Sequence, residues 1–352
     1  MSSRVVAADL GTMFFQTAEN NKDGKLVLKE IRNAFVELEA SEDIEQVLAQ
    51  NDWQYVSDEK HYFVIGEDSM RVARMFPGKV ELRRPMAGGV LNKGEDKKML
   101  VMAKMIESSV GEAPDDQSFV CICVSSDPVD GAQDNLFHKM RITGMFKRLG
   151  WNVKVIEEGH AVILSENPSI IDADGKKVPF SGIGMSFGAG KVNCVLAYRG
   201  LSVVGMSAAR SGDWIDKKVS EQTDTPLAQV INVKENKLDF NDIDYDDDTV
   251  FALDAYYGNM IEYVFKNFAK KFLQEKSEFE APLDIIIAGG TSMPKGFVKK
   301  VKDVVSKLNL PFEIKDIKIS KDPRNSVVKG LLTQSIISQK KLKEKVIDEA
   351  LG

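Results

Sequence analysis

SGIGMSFGAGKVNCVLAYRGLSVVGMSAA, residues 181–209, reads as three strands joined by glycine-marked turns at Gly188–Gly190 and at Arg199-Gly200. The same plan occurs roughly 180 residues earlier. There, RVVAADLGTMFFQTAENNKDGKLVLKEI, residues 4–31, gives two strand-like runs across the polar turn Asn20-Asn21-Lys22-Asp23-Gly24, a β-hairpin. That turn lacks the ligand pattern and the closing Glu of a calcium loop. Two hairpins of this kind, so far apart, make the chain look like two copies of one α/β plan.

The segments outside the hairpins fit such a plan. Between residues 34 and 83 the pattern is mixed, with short strands around Trp53–Val56 and His61–Ile65. LVMAKMIESSV (100–110) has helical spacing, FVCICVSS (119–126) is a buried strand, and DNLFHKMRITGMFKRLG (134–150) is a helix ended by Gly150. NVKVIEEG (152–159) is a further strand, followed by a helical run from His160 and a loop near Asp172–Pro179. The acidic stretch from Asp239 to Asp248 reads as a solvated loop or a helix start, leading into a helix over 249–273. DIIIAGGTSMP (284–294) is a strand, a tight Gly-Gly turn and a helix opening at Pro294. The tail, SQKKLKEKVIDEALG (338–352), is an amphipathic helix of mixed charge.

At 352 residues the chain has room for two domains, each with its own core. Its 43% hydrophobic and 28% charged residues are ordinary for a globular protein, and a net charge of −6 argues against nucleic acid as a direct partner. MSSRVVAADL lacks the basic, apolar and cleavage-site order of a secretory leader, so a cytoplasmic protein is expected. Phe251–Leu273 is the most apolar long segment, yet Asp254, Glu262, Lys266, Lys270 and Lys271 make it an amphipathic helix and not a membrane span. Cys121, Cys123 and Cys194 lie in apolar strands and suit buried thiols.

Three glycine turns carry the chemistry. In Asp9-Leu10-Gly11-Thr12, glycine lets the backbone approach an anion while the carboxylate suits a hydrated magnesium ion. Ser186-Phe187-Gly188-Ala189-Gly190-Lys191 is a usable phosphate cradle between strands. Ile287-Ala288-Gly289-Gly290-Thr291-Ser292-Met293-Pro294 offers a flat backbone against which a base or ribose can lie. Each turn also has a plain structural reading, as an ordinary hairpin or strand-to-helix connection.

Their order resembles the actin, heat-shock chaperone and sugar-kinase superfamily, and most closely the bacterial actin-like proteins of the MreB and MamK kind. VAADLGT (6–12) is similar to their first phosphate loop. FVIGEDSMRVARMFPGKVELRRPMAGGVL (63–91) resembles a family segment running from an I-G-x-x-A stretch to an R-P-x-x-x-G-V turn, with Ser69 in place of the Ala. NVKVIEEGHAV (152–162) looks like the bend that carries a water-positioning acid, and ARSGDWID (209–216) like the G-D-x-x-D helix start near the base. IAGGTSMPKGF (287–297) is close to actin's adenosine loop, and DPRNSVVKGLL (322–332) resembles the closing D-P-x-x-x-V-x-x-G helix.

The resemblance implies an actin-like ATPase fold, with two related ribonuclease H-like α/β domains around a nucleotide cleft. The expected division is 1–165, with a small added subdomain at about 34–75, and 166–352, with another at about 215–250 and the last helix packing back on the first half. It implies ATP or ADP with Mg2+ as ligands. Asp9 would hold the metal through water. Gly11, Thr12, Met13, Ser186, Gly188, Ala189, Gly190, Lys191, Gly212, Asp213, Gly289, Gly290 and Thr291 would bind nucleotide. Glu158 would orient the attacking water, with Asp9 as the second catalytic acid, Glu157 as a structural acid and His160 as a further cleft candidate.

One departure bears on catalysis. The family's second loop begins D-x-G-x-G-T, whereas Ser186 stands here for the Asp and Lys191 for the Thr. Either hydrolysis is slow or absent and nucleotide acts as a structural switch, or Asp9 and Glu158 suffice and Lys191 adds charge to the phosphates. The expected partner is a second copy of the chain in a filament. A non-polymerising adaptor or a small-molecule kinase of the same superfold is the alternative. Met13-Phe14-Phe15 and the C-terminal helix leave contact with a membrane or adaptor protein open, although nothing indicates it.

Overall fold

The computed structural model describes residues 3–91, 96–130, 135–166, 169–171, 175–275 and 282–351. The chain divides into two compact units. Met1–Ile122, Leu136–Val155 and Ser335–Gly352 form the first, and Cys123–Asn135 with Ile156–Gln334 form the second.

The first unit begins with β1 (Val5–Leu10), β2 (Phe14–Asn20) and β3 (Leu26–Arg32). A smaller sheet region follows, with β4 (Phe35–Glu39), α1 (Glu42–Gln50), β5 (Tyr55–Ser57), β6 (His61–Ile65), α2 (Gly66–Met75) and β7 (Leu82–Arg83). After the short hairpin β8 (Met86–Ala87) and β9 (Val90–Leu91) come α3 (Asp96–Val110), β10 (Phe119–Val124), α4 (Asn135–Arg148) and β11 (Asn152–Glu157). The main sheet has the order β11-β10-β1-β2-β3, with β1 parallel to β10 and antiparallel to β2. β10 is buried at every position but its last, as a parallel strand covered on both faces should be. Edge strand β3 is mostly exposed and carries Lys29, Glu30 and Arg32, which discourages further pairing. The small sheet, β5-β6-β4-β7, has a core of its own in Val36, Leu48, Trp53, Val64 and Val72.

In the second unit, α5 (Glu158–Glu166), β12 (Ser169–Ile171) and β13 (Lys177–Pro179) lead into β14 (Gly182–Phe187), β15 (Val192–Tyr198) and β16 (Leu201–Ala208). Then come α6 (Gly212–Thr223), α7 (Leu227–Asn236), α8 (Asp248–Gln274), β17 (Leu283–Ala288), α9 (Phe297–Val305), β18 (Ile314–Ile319) and α10 (Ser326–Leu351), whose residues from Ser335 onward belong to the first unit. The sheet order is β16-β15-β14-β17-β18, with β14 parallel to β17 and antiparallel to β15. Taken from the other edge, this is the order of the first sheet, strand for strand. The hairpin strand lies at the centre, two antiparallel strands extend to one side and two later strands to the other. Phe187, Tyr257, Phe265, Phe268 and Phe297 fill the core between this sheet and the buried face of α8.

Several local expectations shift. The helix expected from His160 begins at Glu158. No helix opens at Pro294; a single 3-10 turn covers Gly290–Ser292, and α9 begins only at Phe297. Lys295 forms a bridge with Asp239, and Gly296 takes a left-handed φ of 74°, so residues 294–296 are held outside helical geometry. Asp247 caps α8 by accepting from the N–H groups of Thr249 and Val250, so the acidic stretch is a helix start. The tail from Ser338 continues α10 instead of forming a separate helix. Of the loop expected near 172–179, residues 172–174 lie outside the described residues. Among the described residues no helix is long and apolar enough to cross a membrane.

Candidate functional site

In the second unit, three predicted segments converge. The turn between β14 and β15 is tied down through its carbonyls. Gly188 O accepts from Gly212 N at 3.2 Å and from Thr291 Oγ1 at 2.9 Å, while Ala189 O accepts from Asp213 N at 2.8 Å and from Ser211 Oγ at 2.6 Å. The start of α6 and the 3-10 turn are thereby stitched to one glycine loop. Among the described residues, the N–H groups of Ala189, Gly190 and Lys191 donate to no backbone or side-chain acceptor. A loop whose carbonyls are bound elsewhere and whose successive N–H groups are unspent is a nest for an anion. Beside it, Gly290 is exposed, and no atom lies within 4 Å of where its side chain would begin. A flat group can lie there against the backbone. Gly289 N donates to Pro323 O, and Tyr257 Oη donates to Thr291 O at 3.1 Å, which anchors this turn from behind.

Glu158 reaches the loop because α5 lies directly on the sheet. A side chain on Gly184 would meet Gly159 O at 2.2 Å, so only glycines permit that crossing. The first residue of α5 is thus set over the hairpin. Glu158 Oε1 accepts from Ser186 Oγ at 2.6 Å, and Oε2 accepts from Asn193 Nδ2 at 2.7 Å. Its neighbour Glu157 goes elsewhere, accepting from Ser126 Oγ at 2.6 Å and from Ser202 Oγ. The two adjacent acids therefore have separate sets of partners.

Strand alternation fixes which side chains accompany Glu158. Ser186 pairs with Asn193 and Phe187 with Val192 in the β14–β15 ladder. Ser186, Lys191 and Asn193 therefore share one face, while Phe187, Val192 and Cys194 enter the core on the other. Ser186, Lys191 and Asn193 are all buried. Lys191 Nζ donates to Asn135 Oδ1 at 3.2 Å, and Asn135 Nδ2 in turn donates to Ser126 O at 2.7 Å. Burial pulls the Lys191 pKa down to about 8 against the opposing attraction of Glu158 and Asp130. Asn193 Oδ1 is buried with no hydrogen-bond partner among the described residues.

Sequence reading missed Asn193 and Asn135. The available signal was the single polar residue in VNCVLAY, two positions beyond Lys191 and hence on the same face. His160 does not join this group. Its Nε2 lies 3.0 Å from Gly200 O, at the far end of the β15–β16 hairpin from the glycine loop. Asp216, the second acid of the G-D-x-x-D string, is buried in a 2.6 Å ion pair with Lys234. Desolvation raises its pKa, although Lys234 opposes the shift.

The first unit repeats the loop design. Asp9 lies in β1, and Gly11, Thr12 and Met13 turn the chain into β2. Gly11 O accepts from Asn33 Nδ2 at 2.8 Å, Met13 O accepts from Asn33 N at 2.9 Å, and Thr12 Oγ1 accepts from Gly89 N at 3.0 Å. Gly89 belongs to the β8–β9 hairpin, so the R-P-x-x-x-G-V segment buttresses this turn. A side chain on Gly11 would meet Phe14 O at 2.7 Å, and one on Gly188 would meet Lys191 O at 2.9 Å. In both loops a glycine sits against the carbonyl three residues on. Among the described residues, no cluster of three or more His, Cys, Asp or Glu side chains could hold a metal ion.

A family model described as Volactin matches residues 5–335. Among solved structures, the chain is similar to MreB 5 of Spiroplasma citri bound to AMPPNP, with a TM-score of 0.67 and 14% identity over 99% of this chain and 99% of that one. It is similar to the MamK double helical filament, with a TM-score of 0.64 and 16% identity over 95% and 99%. MreB5 of Spiroplasma citri bound to ADP gives 0.66 and 13% over 97% and 99%. At these identities the likeness establishes the fold, which is actin-like. Comparison with curated proteins gives no match.

Proposed function

This chain belongs to the Volactin family, and from that premise we propose a nucleotide-dependent, actin-like cytoskeletal protein of the cytoplasm that binds ATP with magnesium and polymerises into filaments. The observation that carries the nucleotide reading is the anion nest at Ala189–Lys191, set beside the open backbone of Gly290. Unspent amides suit phosphate oxygens, and an unobstructed glycine suits a nucleoside. The neighbours bound to AMPPNP and ADP, and the one described as a filament, support the same reading.

In this proposal phosphates lie against the amides of Ala189, Gly190 and Lys191, with Ser186 and Gly188 shaping that loop, and the Gly11–Met13 turn of the first unit is a phosphate loop of the same design. The nucleoside lies along Gly289, Gly290 and Thr291, with Gly212 and Asp213 bracing it through the loop carbonyls. Asp9 would hold magnesium through water, and a metal there would supply positive charge against the phosphates. Glu158, fixed by Ser186 and Asn193, orients the attacking water where hydrolysis occurs.

Gly290→Leu tests the site without touching the core. Its side chain enters open space, so the melting temperature stays near that of the parent. ATP affinity should fall by more than about tenfold, since a side chain would fill the space assigned to the nucleoside. Unchanged ATP binding in a folded Gly290→Leu protein would remove the nucleoside from this turn.

A further inference from the structure

Lys191 is a costly residue to bury without a counter-charge. It is only 4% exposed, and its ammonium makes one hydrogen bond among the described residues, to the neutral Asn135 amide oxygen at 3.2 Å. An ammonium has three donors, and burying one without an ion pair is strongly unfavourable. The nearby carboxylates are engaged elsewhere. Glu158 accepts from Ser186 and Asn193, while Asp130 accepts from Ala209 N at 2.8 Å and from Tyr263 Oη at 3.0 Å. Lys191 also closes the loop whose own amides are unspent, on the hairpin face it shares with Ser186 and Asn193. A structural lysine would be paired or would extend its amine to solvent. A lysine waiting for an anion would look as this one does.

We propose that the Lys191 ammonium is the built-in counter-charge for the terminal phosphate of a nucleoside di- or triphosphate, so that this chain holds its nucleotide with little dependence on a divalent cation. The proposal rests on the nucleotide reading above and deepens it. The same exchange that places a cation at residue 191 leaves residue 186 a neutral serine, so the hairpin face brings no extra carboxylate that a metal must offset. Charge neutralisation usually assigned to magnesium is here partly supplied by the protein. A lysine fits a phosphate as a compact point charge, with no demand for planar geometry.

The test uses the full-length chain and three probes, ATP, ADP and AMP, titrated by calorimetry in excess magnesium and again in excess EDTA. For the parent protein, chelation should weaken ATP binding by less than about tenfold. For Lys191→Met, metal-free ATP and ADP should bind about 10- to 100-fold more weakly than to the parent, with AMP nearly unchanged, because one charge-assisted contact to the terminal phosphate is lost. Lys191→Arg should recover part of that loss. The nucleotide-free Lys191→Met protein should melt no lower than the parent, since a buried ammonium with no ion pair among the described residues has been removed.

Loss of most parent ATP binding on chelation would overturn the proposal without any variant. So would a Lys191→Met protein that melts lower and weakens ATP and AMP by the same factor, which is the mark of a structural lysine. If the parent binds none of the probes in either buffer, the nucleotide reading fails and takes this proposal with it. ATP binding that collapses only in EDTA removes the proposal alone.

Discussion

With its ammonium buried, Lys191 holds a proton less readily in the folded chain than in the unfolded one, where the ordinary value is 10.5 against about 8 here. Between those values the unfolded state binds more protons, so nucleotide-free stability gains a term that rises with pH through this window and is absent below it. Chemical denaturation of the parent and of Lys191→Met should show the difference shifting toward the parent from about pH 8 upward, by at most about 1.4 kcal/mol per pH unit. A difference independent of pH would mean that the lysine is solvated in the folded state. Ser186 gives a companion prediction. Its hydroxyl holds Glu158 at 2.6 Å, and Ser186→Asp would set a carboxylate there, on the face that carries Lys191. Metal-free ATP binding should weaken and magnesium dependence should appear, read by the same calorimetry. Phosphate release that also rises in this variant would show that the missing acid limits hydrolysis. Glu158 itself was legible in the sequence from the bend it occupies. Asn193 was not, because β15 is buried on both faces and its polar side stands out at one position only.

At the scale of elements, close backbone approaches position the second unit's helices. Gly330, in the string resembling the closing helix, presses α10 on α5, and a side chain there would meet Ala161 O at 1.8 Å. Gly330→Ala should therefore cost about 1–3 kcal/mol through forced separation of the helices, measured by denaturant unfolding. Because α5 also carries Glu158, the same change should disturb nucleotide affinity. An unchanged midpoint would mean that the helices slide apart freely. Both hairpins, the strands over 119–126 and 284–288, and the helix over 249–273 could be read directly from apolar pattern and turn residues. Boundaries set by tertiary contact could not. Pro294 is a good first helical residue in isolation, yet the Lys295–Asp239 bridge and the left-handed Gly296 delay α9 to Phe297. The start of α5 at Glu158 depends on the Gly159–Gly184 crossing, which joins residues far apart in sequence.

Across the whole molecule, two sheets of one strand order carry two loops of one design, and this duplication was the most legible feature of the sequence. Each loop has carbonyls bound by groups elsewhere in its unit, and in the second unit the Ala189–Lys191 amides are unspent among the described residues. What pattern alone could not convey was this hydrogen-bond arrangement, since it depends on Asn33, Gly89, Ser211 and Thr291, which lie far along the chain from the loops they brace. Self-association is the remaining step of the proposed function, in which head-to-tail contacts that do not close into a ring would extend into a filament. The most direct measurement is negative-stain microscopy paired with sedimentation of the purified full-length chain at tens of micromolar, without nucleotide, with ADP and with ATP. Filaments are expected with ATP and magnesium, and none without nucleotide. A chain that binds ATP by calorimetry yet sediments as a monomer under every one of these conditions would contradict this expectation.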